Sequence, residues 1–335
     1  MADRRIRWGI VSTADIGMKK VTPGIMKSPH SEVVALASRD LGRAKAGLAE
    51  LGLTNARAYG TYEELFSDPE IDAIYNPLPN HLHVPVTLAA AHAGKHVLCE
   101  KPISMTAKEA EELRAAPGNV LVTEAFMVRH HPQWHRAREI IRSGELGDVH
   151  LVRAAFLYYL DDPNNVRNLA DIGGGGLLDI GCYCVISGRY LFEAEPKRVV
   201  ALVDRDPSFR TDRLASVIAD FGGGRQLSFV CGTQTAGRQT VEVFGTLRSL
   251  EIVIPFNAPP DEQTAILVGA GPQRDLYRRE IIRAVDQYTE QAENFALAIL
   301  GQQKMPYGIE DAISQMRVLD AIFRSEKSGN WEDVK

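Results

Sequence analysis

A carboxylate and a phenol lie four positions apart in an otherwise apolar segment, GGGGLLDIGCYCVISGRYL at residues 173–191. They are Asp179 and Tyr183, and a helix would place residues at i and i+4 on one face. Burying a carboxylate without a partner costs several kcal/mol, so Asp179 requires a donor or a cation. The pair is therefore interpreted either as a proton-transfer site or as a structural pair hydrogen-bonded inside the core.

A cation of suitable chemistry occurs in HVLCEKPIS, where Lys101 follows a buried apolar segment directly. The proline after it favours an extended conformation at the lysine. If Lys101 faces Asp179 and Tyr183 across a cleft between two domains, its ammonium neutralises the carboxylate and lowers the pKa of the phenol, which suits general acid–base catalysis. An ordinary exposed lysine is the alternative.

The elements that would position these groups fall into two blocks. Up to about residue 123, apolar strand patterns alternate with helical patterns, one of which begins with a capping-box spacing at Thr61 and Glu64. Such alternation predicts a doubly wound parallel sheet of the Rossmann type, whose ligands bind at the carboxyl ends of the strands. After residue 124, β-rich segments predict an open, mostly antiparallel sheet covered by helices on one face, followed by amphipathic helices near 286–300 and 309–327.

The fold class is thus α/β, with a dinucleotide-binding domain over residues 1–123 and an α+β domain over 124–335. In the first turn, GIVSTADIG, the G-x-G-x-x-G fingerprint falls on Ser12, Ala14 and Gly17, so only its last glycine is present. Small residues still allow phosphate to approach, although a turn that binds nothing is the alternative.

The end of the second strand, ALASRD, indicates which dinucleotide binds. Ser38 and Arg39, with Arg43 as a helper, suit the 2′-phosphate of NADP. NAD is the alternative, but Asp40 comes one or two positions late for the carboxylate that NAD enzymes place on the ribose.

Composition excludes other classes of function. The net charge is −5 without a basic block, which argues against nucleic acid, and no run of eighteen apolar residues predicts a membrane span. Four cysteines without zinc or redox spacing indicate reduced thiols and a cytoplasmic protein. His81 and His83 form an H-x-H pair without acidic or cysteine neighbours in sequence, so no metal site is predicted.

Four segments in the same order resemble the glucose–fructose oxidoreductase / inositol dehydrogenase / rhizopine-catabolism (Gfo/Idh/MocA) family: GIVSTADIG, LPNHLH with AGKHVLCEKP, EAFMVRHHP, and GGGGLLDIGCYCV. The resemblance spans essentially the whole chain. It implies a nucleotide-binding domain joined to an open-faced sheet domain, residues 124–335, for substrate binding and oligomerisation, with pairing of subunits through that face into a homodimer or homotetramer. Where many members have D-x-x-x-H, this chain has Tyr183, which is similar to the glucose–fructose oxidoreductase, dihydrodiol dehydrogenase and NADP-linked xylose dehydrogenase branch.

By resemblance, Lys101 acts in proton transfer and substrate binding, Glu100 lies near the nicotinamide ribose, and Asn80 and His83 contact the cofactor. The predicted activity is hydride transfer between NADP(H) and a carbinol or carbonyl carbon of a sugar or cyclic polyol. A trans-dihydrodiol dehydrogenase and a non-catalytic NADP(H)-binding regulatory protein are the alternatives. Tyr183 is the first choice for the base, although it could exchange roles with Lys101.

Three groups of site residues are therefore predicted. The catalytic residues are Lys101, Asp179 and Tyr183. The substrate-binding residues are the same three with Arg167, which lies in the loop 160–172. The cofactor-binding residues are Gly9, Ser12, Thr13, Ala14, Asp15, Ile16, Ser38, Arg39, Arg43, Leu78, Pro79, Asn80, His83, Glu100, Lys101 and Arg129.

Overall fold

A six-stranded parallel sheet organises the first part of the computed structural model, which describes residues 4–335. The strands lie in the order β3-β2-β1-β4-β5-β6, and their bounds are β1 Ile6–Val11, β2 Ser31–Ala37, β3 Arg57–Tyr59, β4 Ala73–Asn76, β5 His96–Glu100 and β6 Val122–Ala125. The strand order reverses between β1 and β4, which is where doubly wound sheets bind ligands at the carboxyl ends of their strands. The predicted parallel sheet is confirmed.

Helices connect these strands: α1 Thr22–Lys27, α2 Leu41–Glu50, α3 Tyr62–Ser67, α4 His83–His92 and α5 Ala107–Glu112. A π-helical turn precedes α1, and 3₁₀ turns precede α4, follow α5 and follow β6: Gly17–Val21, Asn80–Leu82, Leu113–Ala115 and Met127–His130. The predicted capping box at the start of α3 is confirmed, because Thr61 and Glu64 each accept the other's backbone N–H.

A nine-stranded sheet forms the second part of the chain, in the order β14-β13-β12-β11-β7-β10-β9-β8-β15. The bounds are β7 Val149–Tyr159, β8 Arg198–Arg205, β9 Asp212–Gly222, β10 Arg225–Gly232, β11 Gln234–Gly245, β12 Ser249–Ile252, β13 Thr264–Gly269, β14 Arg278–Ile282 and β15 Glu332–Asp333. Neighbouring strands are antiparallel except β7 and β10, which are parallel. The prediction of a mostly antiparallel sheet is therefore confirmed.

Two helices pack on this second sheet, α6 (Pro132–Arg142) and α7 (Cys182–Phe192), and α7 continues from a π-helical turn at Leu177–Gly181. Shorter 3₁₀ turns occur at Val166–Asn168, Ala170–Ile172 and Arg274–Leu276. Side chains of β9 alternate in burial: Val217 and Ala219 are buried, whereas Ser216 and Ile218 are exposed. This alternation is typical of a sheet with one covered face and one open face.

The last helices are α8 (Gln287–Ile299) and α9 (Ile309–Ser328), which confirms the two predicted amphipathic helices. The chain divides into two compact units. The first comprises residues up to 104, 108–130 and 286–313, and the second comprises 105–107, 131–285 and 314–335.

The segment 286–313 therefore belongs with the first sheet, whereas the sequence analysis placed it in the second domain. The reason lies in the apolar stripe of α8, whose members Ala292, Phe295 and Ala296 are fully buried at helical spacing. The ring centroid of Phe295 lies 5.3 Å from that of Trp8 on β1. Sequence order alone gives no sign of this long-range pairing.

The four cysteines are free, and all are buried: Cys99, Cys182, Cys184 and Cys231. Burial raises the pKa of the Cys99, Cys184 and Cys231 thiols, so these side chains act as small apolar packing groups. Within residues 4–335 we find no helix whose length and apolar character would let it cross a membrane.

Candidate functional site

The loop after β1 makes the turn that a glycine would make. Ser12 occupies the position of the first fingerprint glycine and has a φ of 68°, in the left-handed region that glycine adopts without steric cost. Its N–H donates to the Ala37 carbonyl at 2.7 Å, and its hydroxyl accepts from the Ala14 N–H at 3.2 Å. The backbone geometry is thus retained although the glycine is replaced.

The other residues predicted around this turn have different surroundings. Gly9 lies within β1, where a Cβ would come 3.0 Å from Ile74 and 3.1 Å from Leu65, so its small size serves packing of the sheet. The exposed carboxylate of Asp15 lies 2.6 Å from the Lys19 ammonium. Ile16 packs against the core, and Thr13 and Ala14 are partly exposed.

At the end of β2, Ser38 is buried, whereas Arg39 and Arg43 are exposed. Asp40 accepts the Arg43 N–H at 2.8 Å and so caps the start of α2. Both guanidinium groups lower the pKa of the nearby Tyr62 phenol, against a larger upward effect of burial. A carboxylate engaged as a helix cap beside two exposed cations favours a phosphate at this strand end over a ribose hydroxyl.

His83 joins the loops after β4 and β5. Its Nδ1 lies 2.6 Å from the Pro102 carbonyl and its Nε2 2.5 Å from the Leu78 carbonyl, and the side chain is buried. Burial lowers the pKa of this imidazole to about 4, although the two carbonyls act in the opposite direction. Both ring nitrogens face backbone carbonyls and so tie the loops after β4 and β5 together, and the cofactor contact expected from the sequence stays a prediction.

Asn76, which is not among the predicted site residues, supports the same loop from the end of β4. Its side-chain amide donates to the His83 carbonyl and to Thr87, and its carbonyl oxygen accepts the Leu78 N–H. Leu78 is buried, whereas Pro79 and Asn80 are partly exposed at the surface of the loop. The buried side-chain amide of Asn76 therefore fixes the start of the predicted L-P-N segment, residues 78–80.

Glu100 holds the backbone of Lys101, the residue that follows β5. Its carboxylate accepts the Tyr75 hydroxyl at 2.8 Å and the Lys101 N–H at 3.2 Å. Burial, together with Glu100, raises the pKa of Tyr75, which therefore acts as a neutral donor. Lys101 is partly exposed, and its peptide bond to Pro102 is cis.

Arg129 is built into the interior of the first unit. Its guanidinium carbon lies 3.9 Å from the centroid of the Tyr307 ring and 5.2 Å from that of Phe126, and it forms an ion pair with Asp311. Only 2% of its side chain is exposed. Packing and charge pairing thus hold Arg129 in this unit, and its predicted contact with the cofactor stays a prediction.

In the second unit, Asp179 accepts two hydrogen bonds on one carboxylate oxygen. The Tyr158 hydroxyl lies 2.6 Å from Oδ2, and Arg167 Nε lies 3.0 Å from the same atom. A phenol and a guanidinium both stabilise the ionised carboxylate. Asp179 thus has a cation within its own unit, and its predicted pairing with Lys101 stays a prediction.

Tyr183 lies one helical turn beyond Asp179 and is 6% exposed. Its ring centroid is 5.7 Å from that of Phe156 and 5.6 Å from that of Phe256, and these two phenylalanines stack at 4.7 Å. Phe156 and Tyr158 are two apart on β7 and so face the same side of the sheet. The alternation in AAFLYYL was the signal that could have revealed Tyr158.

Comparison with known proteins follows the division into two units. Residues 6–119 match the oxidoreductase family with an NAD-binding Rossmann fold, and residues 134–251 match the GFO/IDH/MocA C-terminal domain. The chain is 37% identical to the D-xylose 1-dehydrogenase (NADP(+)) 2 of Haloferax volcanii, over 96% of this chain and 98% of that protein. It is 35% identical to the trans-1,2-dihydrobenzene-1,2-diol dehydrogenase of Mus musculus, over 72% of each chain.

A similar solved structure is that of KijD10, a 3-ketoreductase from Actinomadura kijaniata in complex with NADP and TDP-benzene. Its TM-score is 0.89 at 28% identity, covering 96% of this chain and 98% of that one. Both sheets, the strand-end loops and the family matches thus agree, and the chain belongs to the GFO/IDH/MocA family of NAD(P)-binding oxidoreductases.

Proposed function

We propose that the chain transfers a hydride reversibly between NADP(H) and a carbinol or carbonyl carbon of a sugar or cyclic polyol. The observation that carries this proposal is the carboxylate of Asp179, held by Tyr158 and Arg167 one helical turn before Tyr183. Sugars present hydroxyls to such polar groups and apolar C–H faces to aromatic rings, such as those of Phe156 and Phe256. The names of the Haloferax and Actinomadura proteins, a xylose dehydrogenase and a 3-ketoreductase, support a sugar-type substrate.

The loops at the carboxyl ends of β1 and β2 fit NADP(H). The left-handed turn at Ser12 exposes small side chains where a pyrophosphate would approach, and Arg39 and Arg43 offer two cations to a 2′-phosphate. When bound, NADP(H) donates or accepts the hydride. His83 and Glu100 support this site by fixing the loops around Lys101.

The catalytic roles are proposed for Lys101, Asp179 and Tyr183. In the oxidation direction the substrate carbon loses its hydrogen with the bonding electron pair, and Tyr183 takes the proton of the hydroxyl. Lys101 stabilises the developing oxyanion and lowers the pKa of the phenol, and these two groups could exchange roles. Asp179 and Arg167 bind substrate hydroxyls and fix the orientation of the reacting carbon.

The experiment is a screen of aldoses, ketosugars and cyclic diols with NADP⁺ and NAD⁺, followed by the absorbance of reduced nicotinamide. Turnover of a sugar or polyol with NADP⁺ supports the proposal. Turnover confined to trans-dihydrodiols favours the alternative that the Mus musculus relative suggests. Binding of NADPH without turnover of any compound favours a regulatory protein and contradicts the enzymatic assignment.

We also propose that the subunits assemble as homodimers or homotetramers through the open face of the second sheet. A shallow groove of about 500 Å³ crosses five neighbouring strands on this face, from β8 through β9, β10 and β7 to β11. Leu202 and Ile218 on this sheet are 78% and 42% exposed, which is a large apolar exposure for strand residues. Light scattering of the protein and of Leu202→Glu tests this assignment, since a monomer in both contradicts it.

A cytoplasmic location is proposed from cysteine usage. All four thiols are free of disulfide bonds. This includes Cys182, Cys184 and Cys231, which lie in the same unit. Free buried thiols are typical of reducing compartments. Fractionation of the native cells tests this location directly.

A further inference from the structure

The glycine run before the Asp179 helix folds back onto the segment that carries Arg167. Gly174 N–H donates to the Leu169 carbonyl and Gly175 N–H to the Arg167 carbonyl, each at 2.9 Å. A Cβ on Gly174 would come within 2.6 Å of the Arg167 carbonyl oxygen. The turn therefore requires a residue without a side chain, and it holds the backbone of Arg167 next to the start of the helix.

A buried carboxylate on another strand anchors the same turn. Asp212, the first residue of β9, is 2% exposed, and its Oδ2 accepts the Leu177 N–H. A Cβ on Gly175, which has a φ of +127°, would lie only 2.1 Å from Oδ1 of Asp212. The carboxylate thus fills the space that the glycine leaves.

This contact gives a hydrogen-bond acceptor to one of the first backbone N–H groups of the helix that carries Asp179 and Tyr183. The first N–H groups of a helix have no partner inside it and carry a partial positive charge. Gly176, at the cap position, has no side chain that could accept them. Asp212 supplies the missing acceptor from a strand 35 positions further along the chain than Leu177.

We propose that Asp212 is a positioning residue of the reaction, which fixes the start of the Asp179–Tyr183 helix through Leu177 and the Arg167 turn through Gly175. The proposal rests on the proposed function for its kinetic readout. Its structural readout, the protection of the Leu177 amide, is independent of any substrate.

The charge of Asp212 is set by the elements packed around it. Arg205 on β8 and Glu326 on α9 are paired with each other and act on it in opposite directions. Tyr158 on β7 and Cys231 on β10 also face it and are neutral. Burial raises the pKa of Asp212 to about 7, although the Leu177 N–H acts in the opposite direction.

Protonation of Asp212 weakens its acceptance of the Leu177 N–H, because the carboxylate loses its charge. The helix start and the Arg167 turn then lose their anchor together. Turnover is therefore expected to fall as the pH drops through about 7. This fall of the rate at acid pH, the acid limb of the pH profile, is caused by protonation of Asp212. It should disappear when residue 212 has a side chain that does not titrate.

The test compares Asp212→Asn, Asp212→Ala and the matched control Asp220→Asn, which changes another aspartate of β9. Asparagine keeps an acceptor oxygen but cannot titrate. Because the neutral amide resembles the protonated carboxyl, we expect Asp212→Asn to show the same reduced kcat at pH 8 and at pH 6 and so to lose the acid limb near pH 7, whereas Asp212→Ala lowers kcat by about tenfold or more without changing NADPH affinity. Asp220→Asn keeps both the rate and the limb.

Amide hydrogen exchange supplies the second measurement. Asp212→Ala should speed exchange at Leu177 and the following turn, and Asp220→Asn should not. An unchanged acid limb in Asp212→Asn, or wild-type kcat and wild-type exchange in Asp212→Ala, overturns the proposal. If the wild type turns over no compound, the proposed function fails, and the exchange result alone decides whether Asp212 anchors the helix.

Discussion

The hydroxyl of Tyr158 and the carboxylate of Asp179 lie 2.6 Å apart, and Arg167 donates to the same carboxylate oxygen. Burial, followed by the charge of Asp179, raises the pKa of Tyr158, so this phenol keeps its proton and serves as a donor. A phenol committed in this way is unsuited to act as a base. This observation supports Tyr183 over Tyr158 as the proposed proton-transfer group.

Replacing the proposed proton-transfer groups should abolish most turnover. We expect Tyr183→Phe and Lys101→Met each to lower kcat by about 10²-fold or more, since general acid–base catalysis contributes roughly 10²–10⁴-fold. Steady-state kinetics and NADPH titration measure the two effects separately, and NADPH affinity should change little. Lys304→Met, which alters an exposed lysine, is the control. Near-normal rates in both variants would refute the assignment.

Removing the donor to Asp179 should weaken catalysis while leaving Tyr183 in place. Tyr158→Phe loses a hydrogen bond to a charged group, worth about 1.5–3 kcal/mol, so kcat/KM should fall about 10- to 100-fold. The neighbouring Tyr159 is 66% exposed and bonds only to Asp161 among the contacts described, so Tyr159→Phe is the matched control. Equal kinetics for the two variants would show that the Asp179 contact is not used in the reaction.

Cofactor preference should depend on the cations after β2. Arg39→Ala and Arg43→Ala are each expected to raise the KM for NADP⁺ about tenfold or more, because a charge-assisted contact to phosphate is lost, and to leave the KM for NAD⁺ nearly unchanged. Lys45→Ala on the exposed side of α2 controls for general charge. Equal losses for both dinucleotides would contradict a role in binding the 2′-phosphate.

The buried Asp212 should make stability depend on pH in a particular direction. Its pKa rises from 3.8 to about 7 on folding, so between these values the folded protein binds a proton that the unfolded chain has released. The contribution of Asp212 to the free energy of unfolding therefore falls as the pH rises from about 4 to 7, by at most ~1.4 kcal/mol per pH unit, and is constant above. Denaturant unfolding at several pH values should show wild type losing stability relative to Asp212→Asn across this window. If the difference in unfolding free energy between wild type and Asp212→Asn is the same at every pH, the raised pKa of Asp212 is contradicted.

Packing of α8 should contribute strongly to the stability of the first unit. Phe295→Ala removes a fully buried ring against Trp8 and should cost about 3–5 kcal/mol of unfolding free energy. Leu276→Ala, at a residue that is 81% exposed, should change it by less than about 0.5 kcal/mol. Urea titrations of both variants measure the difference, and similar midpoints would mean that α8 is not part of this core.

Local patterns predicted what depends on neighbours in sequence. The alternation of strands and helices, the capping box at Thr61 and Glu64, and the helix containing Asp179 and Tyr183 all follow from spacings of two to four residues. The partners of Asp179 and Leu177 could not be predicted, because β7 and β9 bring Tyr158 and Asp212 to them only once the second sheet has its register. Burial likewise decides the surroundings of His83 and Arg129, whose residue types alone are equally compatible with ligand contact.

The return of 286–313 to the first sheet has a practical consequence for dissecting this protein. No single cut releases the nucleotide-binding lobe whole: a fragment ending before residue 131 would lack α8 and leave the indole of Trp8 facing water. If residues 105–107 are exchanged along with their neighbours, swapping this lobe with that of a relative likewise requires two exchanged pieces, up to residue 130 and 286–313, and three junctions. Recombination within the family should succeed only where both pieces come from the same parent.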